Sequence, residues 1–174
     1  MLTALLTACS DGGKTDAMTD ASPQEKIAEL AKRPVIDTVL ARYENVRTEI
    51  RQRLIEEVGM PDDWYQPYSE SETPCSRPYS KIGDAIAIQM AGWANDARIA
   101  EDRWDRAQEL FTEITRRYGF GDPHVVVDRP TKHEIRVYDD HGGSIMLGTE
   151  VATILSSRTD CHLIPRAHPG KDHK

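Results

Sequence analysis

The sequence predicts an α+β fold in which an antiparallel sheet of about four or five strands packs on long helices. Apolar residues recur every three or four positions in much of the first two thirds of the chain, which is typical of helices. The last third consists of short β-branched stretches separated by turn residues, which indicates consecutive antiparallel strands.

The first helix is predicted to begin at Pro23. Ser22 precedes it as a cap and Glu25 can complete a capping box. Pro34 cannot continue a helix, so this helix should end or kink near Arg33.

A longer helix should follow and end at Gly59. Its apolar stripe recurs every three or four residues and comprises Val35, Val39, Tyr43, Val46, Ile50, Leu54 and Val58.

The segment 60–81 is predicted to be a loop without a regular element because it holds four prolines. A loop of this length should be attached to the rest of the domain, and Cys75 is the residue expected to attach it. Residues 84–93 fit both a strand and a helix by spacing. Gly92 and the residues after it favour a strand over about 84–93.

A further helix is predicted from an apolar face and should close at Gly119. The face comprises Trp104, Ala107, Phe111, Ile114 and Tyr118. Strands are then expected at 124–128, 132–138, 144–147 and 151–155, with a hairpin turn at 139–143. Residues 148–150 should break the sheet pattern.

Composition excludes several function classes. The 174 residues are 39% apolar and 29% charged, enough for a modest core. The net charge of −7 argues against nucleic acid as a partner and against a polybasic lipid-binding surface. No apolar run reaches the 18 residues of a spanning helix.

The N-terminus resembles a lipoprotein signal. Leu6-Thr7-Ala8-Cys9 reads as a lipobox, in which small residues precede the cut and the Cys9 thiol takes up a diacylglycerol. We therefore expect a signal peptide at 1–8, a lipidated Cys9 with a flexible tether at 9–22, one domain at 23–165 and a polar tail at 166–174. No Lys or Arg precedes Cys9, so we expect the true start codon upstream.

Three cysteines are an odd number for an exported protein. If Cys9 carries lipid, Cys75 and Cys161 remain as a pair that can form a disulfide in an oxidising compartment. Two free thiols are the alternative, and a zinc site that adds His162 is a further one.

Several features together resemble the LppA-type family of actinobacterial lipoproteins. They are the lipobox, a cysteine near mid-chain, a Trp-containing helix that ends in Tyr118-Gly119-Phe120, and the closing Thr159-Asp160-Cys161-His162-Leu163. The resemblance covers about residues 30–165. It implies a lipid-anchored extracytoplasmic α+β domain without an established activity. It also implies lipid on Cys9 and a bridge between Cys75 and Cys161.

Candidate chemistry is sparse, and we expect no catalytic residues, metal site or cofactor. The six histidines are interpreted as solvated, as are the adjacent carboxylates 56–57, 62–63 and 139–140. Trp64, Tyr65 and Tyr68 are the binding candidates, because flat rings in a Pro-rich loop can stack on sugars or anchor a partner. The alternative is that these rings fold back over the core as a lid.

The sequence therefore predicts a non-enzymatic envelope lipoprotein. Its partners would be the membrane, through the N-terminal diacylglycerol, and an envelope protein or glycan. The alternative is a cell-envelope hydrolase whose His and Asp residues converge in the fold. A concave pocket that holds His124, His133 or His162 beside a carboxylate would favour the hydrolase, and an exposed aromatic face near Trp64 would favour binding.

Overall fold

The computed structural model describes residues 21–167. Three α-helices lie in this range: α1 Pro23–Leu30, α2 Ile36–Arg53 and α3 Trp104–Arg117. Eight strands form one sheet: β1 Ser71–Pro74, β2 Ala85–Gln89, β3 Trp93–Asn95, β4 His124–Arg129, β5 Lys132–Tyr138, β6 Ser144–Thr149, β7 Thr153–Arg158 and β8 His162–Leu163. The predicted α+β class and antiparallel sheet are confirmed, whereas the predicted count of four or five strands is wrong.

The helix boundaries follow from local chemistry. At the start of α1, the Glu25 N–H donates to the Ser22 hydroxyl at 3.3 Å and the Ser22 N–H donates to the Glu25 carboxylate at 2.7 Å. Helix α2 passes into a π-helical turn at Leu54–Val58. Gly59 ends that turn at φ 82°, a conformation that costs glycine little. The prediction of long helices holds for α2 and α3, with 18 and 14 residues, but not for α1, which has 8.

The strands lie in the order β1-β2-β7-β6-β5-β4, and each pairing is antiparallel. Strands β4 to β7 are consecutive hairpins, while β2 reaches the sheet from earlier in the chain and lies beside β7. The short strands β3 and β8 pair with β7 and β2. Both ends of this order, β1 and β4, are therefore edges of the sheet.

Three strands were not expected from the sequence. The prediction that 60–81 contains no regular element is wrong at Ser71–Pro74, which pairs with β2. Because β1 is an edge strand, Pro74 can end it without a backbone N–H. The other two, β3 and β8, have only three and two residues. Such short stretches carry too little periodicity to be recognised.

Several strand boundaries also differ from the prediction; strand β7, for example, spans Thr153–Arg158 where a strand was expected at 151–155. Strand β6 continues through Gly148 to Thr149, where a break was expected, because both residues pair with β7. For 84–93, the strand interpretation is confirmed over the helix, although β2 stops at Gln89 and the chain re-enters the sheet at Trp93.

The core lies between α2, α3 and one face of β5, β6 and β7. The predicted stripe of α2 is buried there from Val39 to Val58. A second, smaller cluster contains Leu30, Cys75, Tyr79, Ile82, Ala85, Ala87, Cys161 and Leu163. This second cluster fastens α1 and the long loop to the end of the sheet.

Within residues 21–167, none of the helices combines the length and the apolar character needed to cross a bilayer. Cys9, the whole of the predicted signal peptide and most of the predicted tether lie outside the described residues, as do the last seven residues of the predicted tail.

Candidate functional site

Cys75 and Cys161 form a disulfide, with their Cα atoms 5.6 Å apart. The pairing excludes the free-thiol and zinc alternatives for these two residues. Arg33 reinforces the site by donating to the Asp160 carboxylate at 3.0 Å, the Cys161 carbonyl at 3.1 Å and the Tyr79 hydroxyl at 2.8 Å. The bridge therefore lies in a well-packed cluster that joins chain segments far apart in sequence.

The three predicted binding aromatics take different positions. Trp64 is half-buried and packs against the main core, as the lid alternative expected. Tyr65 exchanges two backbone hydrogen bonds with Ala94, and its hydroxyl donates to Asp96 at 2.7 Å. Tyr68 is 79% exposed. The loop is thus fixed at Trp64 and Tyr65 and presents Tyr68 to solvent.

Tyr68 lies on the rim of a groove of about 520 Å³ between this loop, α2 and the turn after β2. The groove is lined by Glu44, Arg47, Gln66, Pro67, Tyr68, Ser69, Glu70, Met90 and Ala91. Its walls therefore combine one aromatic ring, charged groups of both signs and backbone polar groups, a mixture that suits a polar ligand or a protein segment.

Two arginines of α2 support the groove. Arg47 is 1% exposed; it donates to the Ala91 carbonyl at 2.6 Å and to Ser157 at 3.2 Å, and it pairs with Glu44. Arg51 lies with its guanidinium carbon 3.7 Å from the Trp93 ring centre, and burial lowers the pKa of Arg51 from its usual value. Both arginines pair with Glu44, so the three side chains form one ion-pair cluster beside the groove.

A second polar centre was missed by the sequence interpretation. The sequence predicts a solvated Asp139, but its side chain is 2% exposed. It accepts hydrogen bonds from Arg42 at 2.6 Å and the Tyr43 hydroxyl at 2.9 Å, and from the backbone N–H groups of His141 and Gly143 at 3.0 Å. Burial, and the adjacent negative charge of Asp139, raise the pKa of Tyr43 well above its usual range, so the phenol stays a donor.

This Asp139 centre joins α2 to the β5–β6 hairpin. Gly143 is required there, because a Cβ at this position would lie 2.2 Å from the Tyr43 hydroxyl. An Asp directly before a Gly-containing hairpin turn can bond to the backbone two residues on, and that local signal could have identified Asp139.

Among the histidines that the structure describes, His133 and His162 are buried, which corrects the expectation that all histidines are solvated. His133 stacks on Trp104 with ring centres 4.8 Å apart. Its two ring nitrogens lie 2.8 Å from Asp128 and 3.2 Å from Glu101. His133 thus lies beside carboxylates and borders a pocket of about 190 Å³, but both of its nitrogens already have partners. His124 lies against Tyr138 on the sheet.

His162 is fully buried, and its Nδ1–H donates to the Pro34 carbonyl at 2.8 Å. Burial is the main cause that lowers the pKa of His162, and the nearby positive charges of His141 and Arg33 add to it. The Pro34 bond and the charge of Asp139 act in the opposite direction.

The depressed pKa of His162 predicts that stability falls in mild acid. Below pH of about 6.5, the unfolded chain binds a proton at this histidine while the folded chain still excludes it. Chemical denaturation at pH 7.5 and 5.5 should therefore show a smaller acid-induced loss of unfolding free energy for His162→Gln than for the parent. Because the other histidines are common to both chains, equal losses would contradict the prediction.

In the part of the chain between residues 21 and 167, no group of three or more His, Cys, Asp or Glu side chains is arranged to hold a metal ion.

The comparison with known protein families agrees with these features. The model of the LppA family, described as a lipoprotein confined to pathogenic Mycobacterium, matches residues 12–165. The chain belongs to the LppA family. No curated protein matches it in sequence.

Two solved structures share the LppA-family fold. One is the lipoprotein LppA from Mycobacterium tuberculosis, with a TM-score of 0.58, 14% identity, and coverage of 86% of this chain and 91% of that one. The other is a DUF4853 family protein from Actinomyces odontolyticus, with a TM-score of 0.56, 16% identity, and coverage of 75% and 70%. At these identities the likeness concerns the fold alone. The resemblance noted in the sequence is thus confirmed at the level of the family.

Proposed function

We propose that this LppA-family chain is anchored to the extracytoplasmic face of the cell membrane by a diacylglycerol on Cys9. Its domain would bind an envelope protein or glycan and would not act as an enzyme. The groove beside the exposed Tyr68 is the observation that carries the binding role.

The location is supported by the disulfide and by the family. Disulfides persist in oxidising compartments and are rare in the cytosol. Two acyl chains provide stable membrane anchoring, which a single chain does not. A lipidated Cys9, followed by a polar tether, would hold the domain close to the bilayer while the disulfide stabilises the domain.

Binding is supported by the attachment of the loop that carries Tyr68. Trp64 packs against the main core and Tyr65 pairs with Ala94 through the backbone, so the loop is attached to the domain three residues before the exposed Tyr68. Tyrosine and arginine are also the residue types that dominate interface energies.

Hydrolysis is less well supported by the same geometry. The best placed base, His133, is hydrogen-bonded by both nitrogens to Asp128 and Glu101, and neither contact involves a nucleophile. Ser144, which follows the hairpin turn, begins strand β6 and is not on a strand-to-helix elbow.

The proposal predicts that Tyr68→Ala weakens the association of the protein with envelope material. In co-sedimentation with purified cell-wall glycan, and in cross-linking to envelope membranes, we expect about a tenfold loss of binding, which corresponds to about 1.4 kcal/mol.

Tyr138→Ala is the matched control, because Tyr138 is also an exposed tyrosine but lies on β5, away from the groove. Equal binding by both variants and the parent, or no binding by the parent to either material, would contradict a binding role for the groove.

A further inference from the structure

We infer, on the basis of the binding role proposed above, that the groove beside Tyr68 accepts a basic segment of an envelope protein. A lysine or arginine side chain of that segment pairs with the Glu70 carboxylate and lies on the Tyr68 ring. The partner of the groove is thus a cationic stretch of protein, and not a glycan.

The basic charge of the groove is buried and already paired. Among the residues that line the groove, Arg47 is the one basic side chain. Its side chain is 2% exposed, and its two terminal nitrogens donate to the Ala91 carbonyl, the Ser157 hydroxyl and Glu44. An acidic partner would therefore have no accessible cation to contact among these lining residues.

The carboxylate that remains free in the groove is that of Glu70. Glu44 also lines the groove, but Arg47 and Arg51 compensate its charge. Glu70 is exposed, and within residues 21–167 no basic side chain forms an ion pair with it. An unpaired carboxylate on a groove wall attracts a cation and disfavours an anion, so Glu70 selects a cationic ligand.

The loop that carries Tyr68 adds to this charge preference. Its segment 60–76 contains no lysine, arginine or histidine. The same segment carries four carboxylates, those of Asp62, Asp63, Glu70 and Glu72. A surface with one sign of charge raises the local concentration of partners of the opposite sign and speeds their association. The loop therefore favours the approach of a basic segment.

The Tyr68 ring provides a second contact for a cation. Tyr68 is 79% exposed and lines the same groove as Glu70. A lysine or arginine side chain is attracted to the face of an aromatic ring. The side-chain oxygens of Gln66 and Ser69, which also line the groove, can accept hydrogen bonds from the donors of such a ligand. A glycan without amino groups offers no cation for these contacts.

Fluorescence anisotropy tests the charge preference with the full chain carrying Cys9→Ser, which leaves out the lipid. The probes are a labelled peptide of alternating lysine and glycine, the same peptide with glutamate in place of lysine, and a labelled chitosan oligomer as a cationic glycan. We expect the lysine peptide to bind more tightly than the other two and to bind less tightly as salt increases. No binding of the lysine peptide, or equal binding of the glutamate peptide or the chitosan oligomer, would overturn the inference.

Variants locate the binding of the lysine peptide. Glu70→Gln should weaken it about two- to fivefold, as expected for the loss of one exposed ion pair. Glu70→Lys should weaken it further, because repulsion replaces attraction. Glu56→Lys is the matched control, since Glu56 is also exposed but lies on another surface, beside Glu49 and Tyr118. Equal losses in Glu70→Lys and Glu56→Lys would mean that the peptide responds only to net charge, which would overturn the inference.

Two substitutions of Tyr68 test the ring. Tyr68→Phe keeps the aromatic face and should retain binding of the lysine peptide, whereas Tyr68→Leu should lose about two- to fivefold. Equal binding by these two variants would contradict the contact between the cation and the ring.

The envelope-binding assay separates this inference from the proposed function. If both Tyr68→Ala and Glu70→Lys lower the association with envelope membranes, both are supported. If Tyr68→Ala lowers it and Glu70→Lys does not, the groove binds without a cation, so the inference fails while the binding role remains. If neither variant lowers it, both fail.

Discussion

Replacing Cys75 and Cys161 together by alanine is expected to lower the free energy of unfolding by about 4.6 kcal/mol. The bridge joins residues 86 positions apart, and the chain-entropy model assigns this value to a loop of that length. Small proteins are stable by only about 5–15 kcal/mol, so the loss is a large share of the total. Urea denaturation of the parent and the double variant, both oxidised, measures it.

Cys9→Ala provides the control for this experiment, since Cys9 lies outside the bridge and should not change domain stability. Reduction of the parent should reproduce the effect of the double variant. A loss of unfolding free energy below about 1 kcal/mol would show that the bridge adds little to a fold that other contacts already stabilise. That result would contradict the stabilising role of the disulfide.

Asp139→Ala is expected to destabilise the domain by about 3 kcal/mol or more, because the buried Tyr43 hydroxyl and the buried Gly143 N–H lose their acceptor, at about 1–3 kcal/mol for each unsatisfied donor. Four donors would lose their acceptor at once: Arg42, the Tyr43 hydroxyl and the N–H groups of His141 and Gly143. Thermal and urea denaturation should both report the loss.

The neighbouring residue is a matched control. Asp140 is exposed, and Asp140→Ala should change stability by no more than about 0.5 kcal/mol. Tyr43→Phe, which removes one of the four donors, should cost about 1 kcal/mol. Similar effects of Asp139→Ala and Asp140→Ala would mean that the buried centre does not hold α2 to the hairpin.

The sequence predicted those elements whose signal is local and repeated. The capping box at Ser22, the stripe of α2 and the turn at 139–143 each depend on residues close in sequence, and each is confirmed. The strands β1 and β8 were missed because their stability comes from β2, which lies elsewhere in the chain.

The sequence also did not predict which polar side chains are buried, for a related reason. Asp139 and Asp140 are adjacent residues of the same type, so the sequence alone does not separate them. Asp139 becomes a buried acceptor because Arg42 and Tyr43 of the distant helix α2 donate to it. His133 and His162 are buried through similar long-range contacts with Trp104 and Pro34. The aromatic residues of the 60–81 loop also differ because of a long-range contact. Tyr65 pairs with Ala94 through the backbone, whereas Tyr68 stays exposed.

The most direct test of this account is the intact mass of the protein isolated from the envelope of the cells that produce it, before and after reduction. We predict a chain that begins at Cys9, carries a diacylglycerol, and gains the mass of two hydrogens when the bond between Cys75 and Cys161 is reduced. A chain without lipid and with all three thiols free would contradict both the anchor and the oxidising compartment.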